Sequence, residues 1–190
     1  AEPGSEPGSS SGCSWYGDGD PGVEILDVSS GASRVLASRA LLVFGGTLSA
    51  DGRVAAFEVP EAGGSLSVVV DVATGRRIFE LDPGTVEASQ YTRYARLLSP
   101  DGSILLFGDR PILVYDVARG PAEPIAELPS PGGEGYFATF DASGEVVYTT
   151  ARDGTLRAWD PRTAEEISAW PAAGNGRVSH AADGRTLLVG

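Results

Sequence analysis

The sequence predicts an all-β fold, a β-propeller of four-stranded antiparallel blades in series, about four of them. Three observations carry that reading. Strand-sized apolar runs end in Asp at Asp27, Asp71, Asp116 and Asp160, spaced 71 − 27 = 44, 116 − 71 = 45 and 160 − 116 = 44 residues. A second series sets a turn glycine shortly after an apolar run, at Gly52, Gly102, Gly144 and Gly184. No segment of ten or more residues sustains a 3.6-residue apolar period, so helix is not expected. Self-similarity at a fixed period of this length marks a repeat architecture, and short strands punctuated by turns make each repeat a sheet.

The elements follow in order. Residues 1–12, AEPGSEPGSSSG, repeat EPGS and hold nothing to bury, so they read as a flexible acidic linker, with the propeller at 13–190. Runs at Val23–Asp27 and Ser33–Leu36 supply the two outer strands of a blade. Whole units come next, each with Asp-Gly or Ser-Gly where a hairpin needs positive φ. In the last whole unit the strands are expected near Gly135–Asp141, Glu145–Thr150, Thr155–Trp159 and Ala164–Ala169. Two inner strands close the series at Arg177–His180 and Arg185–Val189. The leading outer pair and trailing inner pair could interlock into a composite blade and close a four-bladed ring. The alternative is a slice of a larger propeller, or one that pairs with a second copy. Unpaired blade edges are adhesive, so self-association through them is expected unless the ring closes.

Asp153-Gly154-Thr155-Leu156-Arg157-Ala158-Trp159-Asp160 closely resembles the blade ending of WD40 repeats, and Leu98-Ser99-Pro100-Asp101-Gly102 resembles their inner-strand ending. The resemblance covers residues 20 to 190. It departs in one respect: no Gly-His pair precedes any inner strand, so the family's buried His-to-Asp network is not carried over. Looser bacterial relatives and TolB-like propellers therefore stay open. The resemblance implies a non-catalytic module that presents loops to a protein or peptide partner, as a scaffold or sensor. An enzyme portion, hydrolase or dehydrogenase, and a small-ligand binder using the central channel are the alternatives.

Composition narrows the function classes. The 190 residues are 42% apolar and carry 14 basic against 26 acidic side chains, a net charge of −12. Every basic residue is Arg. Such a balance repels nucleic acid and anionic membranes, whose binding rests on basic patches. One Cys, Cys13, excludes an intramolecular disulfide framework, and one His, His180, leaves the usual zinc ligand sets unmet. No apolar run approaches the roughly 18 residues of a membrane helix, so a soluble chain without cofactors is expected, its compartment open.

Literal matches to catalytic signatures fail on context. Gly8-Ser9-Ser10-Ser11-Gly12 sits in the linker without the strand-to-helix turn or His partner of a nucleophile elbow. Gly17-Asp18-Gly19-Asp20-Pro21-Gly22 would face a pyrophosphate with two carboxylates, and it reads as a solvated turn. The Asp series reads as caps on turns, and His180 as a packed or hydrogen-bonded side chain. Aromatic residues do repeat at the entry to the inner strand: Phe44, Tyr94 and Tyr136 are equivalent, with Gly176 fourth. Interleaved with Arg93, Arg110, Arg152 and Arg177, they form the candidate binding face, since Tyr and Arg are hot-spot residue types. Packing between blades is the competing role for these rings.

Overall fold

The computed structural model describes residues 22–38, 46–61, 64–82, 96–108, 111–129, 137–172, 176–181 and 186–190. Their regular structure is all strand. β1 (Gly22–Leu26) and β2 (Ser33–Ser38) pair as a two-stranded sheet. A first four-stranded blade follows from β3 (Thr47–Leu48), β4 (Val54–Glu61), β5 (Gly64–Asp71) and β6 (Arg77–Leu81). The second blade holds β7 (Arg96–Leu98), β8 (Ile104–Phe107), β9 (Ile112–Asp116) and β10 (Ala126–Leu128). The third holds β11 (Phe137–Phe140), β12 (Val147–Thr150), β13 (Thr155–Trp159) and β14 (Glu166–Pro171). A second pair, β15 (Val178–His180) with β16 (Leu187–Val189), completes the order. In every sheet consecutive strands are antiparallel neighbours, as the turn chemistry predicts.

Two local devices, repeated from blade to blade, build these meanders. At the third-strand turn the Asp side chain accepts the backbone N–H groups two or three residues on: Ser29 at 2.8 Å for Asp27, Thr74 at 2.8 Å for Asp71, Ala118 at 2.9 Å for Asp116, Arg162 at 2.7 Å for Asp160. The Asp series is thus a set of turn caps. Four residues after each Asp the chain is left-handed: φ is 72° at Gly31, 71° at Gly75, 84° at Gly120 and 58° at Ala164. Between first and second strands, the Ser49 hydroxyl donates to Asp51 at 2.7 Å and accepts the Val54 N–H at 3.0 Å, which closes the hairpin on itself.

The blades stack face to face, and the core lies in the seams. One cluster joins Ala56, Val69 and Phe79 of the first blade to Leu105, Phe107 and Tyr115 of the second, with Phe79 meeting Tyr115 edge-on at 5.6 Å. The next joins Ile104, Leu106 and Val114 to Phe140, Val147 and Trp159. A third packs Val23, Leu36 and Ala37 of the leading pair against Phe57, Val59 and Val68. Polar stitches cross the seams too: the Ala50 N–H donates to the Pro100 carbonyl at 2.7 Å, and the Thr150 hydroxyl to that of Gly176 at 2.8 Å. Gly102 is needed where two blades meet, because its φ is positive and a Cβ there would lie 3.0 Å from Val54.

Among the described residues there are thus three whole blades flanked by two half-blades. The two half-blades form separate sheets there, and no composite blade joins them among the described residues.

Candidate functional site

The register of the third blade sorts its loops to two ends. Phe137 lies opposite Thr150, and Thr155 opposite Pro171. The start of β11, the 151–154 turn, the end of β14 and the passage into β15 therefore share one end. The caps at Asp141 and Asp160 occupy the other.

At the first end the Arg177 guanidinium stands 5.8 Å from the centre of the Phe137 ring. That is cation–π range, and it joins an aromatic of the third blade to an Arg of the following half-blade. Arg152, on the 151–154 turn, and Trp170, near the end of β14, are also exposed here. Backbone bonds fix the frame, with the Ala172 N–H donating to the Gly154 carbonyl at 2.7 Å. Arg157 is a different kind of residue. Its guanidinium meets Asp153 at 2.6 Å and Glu166 at 3.4 Å, so it ties the turn to the outer strand. The hydrogen bond from Arg157 holds the Asp153 carboxyl below its ordinary range.

Of the residues expected to form the face, Arg152 and Arg177 are placed together on this end. Phe44, Tyr94, Tyr136, Arg93 and Arg110 lie outside the described residues, as do Cys13 and residues 1–12. Phe137 and Trp170 were not anticipated. Trp170 stands ten residues past its Asp, where the first blade has buried Leu81, so its repeat position predicts core. Trp170 is instead 44% exposed. Gly176 has its own steric reason, since a Cβ there would collide with the Gly190 carbonyl.

The opposite end is engaged with itself. Asp27 has its pKa drawn from 3.8 to about 2, chiefly by the Ser29 hydroxyl and then by the Ser29 and Ser30 amides. Asp51 and Asp71 are lowered likewise, first by the Ser49 and Thr74 hydroxyls. In each of these carboxylates Oδ1 accepts two or three local donors, which suits caps. Among the described residues no three His, Cys, Asp or Glu side chains gather where they could hold a metal ion. His180 is half-buried in β15, opposite Leu187. An apolar cleft of about 270 Å³ opens between the leading half-blade and the first blade, lined by Val23, Ile25, Leu36, Leu48 and Phe57.

With this geometry the chain resembles solved structures. It matches TolB from Acinetobacter baumannii at 21% identity and a TM-score of 0.59, over 88% of this chain and 42% of that one. The β-propeller domain of Cps50 (Swd1) from Myceliophteria thermophila matches at 20% identity and a TM-score of 0.61, over 89% and 55%. BamB from Moraxella catarrhalis matches at 14% identity and a TM-score of 0.56, over 80% and 48%. The fold is a β-propeller. No protein-family model matches the propeller chain, and no curated protein sequence does. The chain spans about half the length of the propellers it resembles. Among the described residues, no helix is long and apolar enough to cross a membrane.

Proposed function

We propose that the chain is a non-catalytic, WD40-like propeller module that binds a protein or peptide partner through the blade end carrying Arg152, Arg177 and Phe137. The observation that supports it is the Arg177 guanidinium over Phe137, with the exposed Arg152 sharing the same end. Arg is among the side chains that concentrate binding energy at interfaces, and loops on a rigid scaffold are where recognition is placed. A guanidinium preorganised over a ring loses little freedom on engaging a carboxylate. The partner chemistry that fits is an acidic segment with an aromatic or aliphatic anchor. The Asp-capped end carries exposed arginines too, among them Arg76, Arg119 and Arg162, but the cation–π pair lies at the Arg177 end. In this reading the acidic linker joins the propeller to an effector, and the propeller senses or gathers partners for it.

Selection of randomised displayed peptides on the 190-residue chain tests the reading. Peptides enriched in Asp, Glu and aromatic residues are expected. Their affinity should fall at least tenfold on the Arg152→Glu, Arg177→Glu double variant. Selected peptides that bind this variant as tightly as the parent would overturn it.

A further inference from the structure

Positions that are core in the whole blades are bare in the half-blades. Leu26 is 57% exposed, yet its repeat equivalents Val70, Tyr115 and Trp159 are buried. Val28 is 90% exposed where Val117 is buried. In the trailing half-blade Leu188 is 71% exposed, at the step held by buried Ala56 and Leu106. Single exposed apolar residues are ordinary on a surface. Three that all fall on core positions of the repeat describe a missing partner. β1 and β16 also each keep one edge without a ladder partner among the described residues, the kind of edge that templates pairing.

The two half-blades are complementary. β15 and β16 are the first and second strands of a blade, while β1 and β2 are the third and fourth. Their register is fixed by a rule that all three whole blades obey: the residue two past the turn glycine lies opposite the third-strand Asp. Val54 faces Asp71, Ile104 faces Asp116, and Val147 faces Trp159, which sets Val146 level with Asp160. Counted from Gly184 and Asp27, the rule sets Leu187 against Leu26, Leu188 against Ile25 and Val189 against Glu24. The exposed Leu26 and Leu188 then occupy the steps that Tyr115 and Leu106 fill in the second blade.

We propose that β16 pairs in this register with β1 of a second copy, so that two copies complete two composite blades between them. Each copy brings three whole blades, and the closed two-fold ring has eight. A second copy is favoured over the chain's own termini because its two half-blades lie in separate sheets. The matched part of the chain covers 42%, 55% and 48% of the propellers it resembles, so two such parts come to about one propeller's length. Eight blades is within the usual range for closed rings, and a two-fold axis repeats the same junction twice. The completed blade would stand beside β14 and cover Trp170, so the peptide-binding reading rests on Arg152, Arg177 and Phe137.

Cysteine trapping tests it. In a Cys13→Ser background, Ile25→Cys combined with Leu188→Cys places two thiols on directly opposed residues. Mild oxidation should give a covalent dimer on a non-reducing gel, while Glu24→Cys with Leu188→Cys, one step out of register, should give far less. A disulfide closed within one chain, no disulfide, or equal trapping by both pairs would overturn the proposal. Leu188→Glu provides a second route and should shift the chain to monomer with its β-sheet circular dichroism retained. Association unchanged in that variant would also overturn it.

Discussion

Ser143 donates its hydroxyl to the Asp141 carboxylate at 2.6 Å, and Asp141 in turn accepts the Val146 N–H at 3.1 Å. One blade earlier the same positions are held in reverse order, with Ser99 accepting the Ile104 N–H at 2.9 Å while its hydroxyl reaches Asp101. The hairpin requires one acceptor for the incoming strand and one partner to aim it. Which of the two is the carboxylate is interchangeable.

Ser99→Ala should therefore cost about 1–3 kcal/mol, because the Ile104 amide is buried and would lose its acceptor. Asp141→Ser should destabilise too, and adding Ser143→Asp should recover most of the loss by recreating the Ser99 and Asp101 arrangement. Urea denaturation of the single and double variants checks the sign of that coupling.

The left-handed position four residues after each capping Asp gives a paired test. Gly75 has φ 71°, and a Cβ placed there would meet nothing within 4 Å, so Gly75→Ala should cost about 1 kcal/mol through the backbone alone. Ala164 already bears that strain at φ 58°. Ala164→Gly should stabilise, by less than about 1 kcal/mol because the lost methyl packs against the second cluster. Opposite shifts in the urea midpoint are expected.

Acid should weaken the turns. Asp27, Asp51 and Asp71 have depressed folded-state pKa values, so they bind protons more readily when unfolded. Their stabilisation is complete above the ordinary carboxylate range and is lost as pH falls through the folded values, for Asp27 between 3.8 and about 2. Thermal melts should be level from neutral pH to about pH 5 and fall below it. Asp71→Asn retains an acceptor for the Thr74 amide but loses the charge, so it should flatten the acid slope by lowering the neutral melting temperature rather than raising the acid one.

The buried indole of Trp159 donates to the Thr149 hydroxyl at 2.8 Å across β12 and β13. Thr149→Val keeps the shape and removes the acceptor, leaving a buried donor unsatisfied at a cost of about 1–3 kcal/mol. A chemical denaturation curve with an unchanged slope checks it.

The period and its turns were legible because they rest on local chemistry. Asp27, Asp71, Asp116 and Asp160 announce a turn wherever they fall, and β1, β2, β13 and β15 lie within about two residues of the runs that predict them. Ala164 was not legible, since nothing local marks an alanine as left-handed. It is held there by the Asp160 cap and by an N–H donated to the Asp160 carbonyl at 2.9 Å. The face was legible only in part. Arg152 and Arg177 fall where the repeat puts them, but Phe137 becomes Arg177's partner through the seam between two sheets, which no spacing along one strand reveals. The exposure of Leu26 and Leu188 is likewise a property of neighbouring blades, and the repeat pattern alone assigns both of them, and Trp170, to the core.

Molar mass in solution, measured by light scattering over a concentration series, tests the completed-blade architecture most directly. The account predicts twice the 19.6 kDa chain mass, held on dilution and reduced to one chain by Leu188→Glu. A mass of 19.6 kDa at every concentration would contradict it.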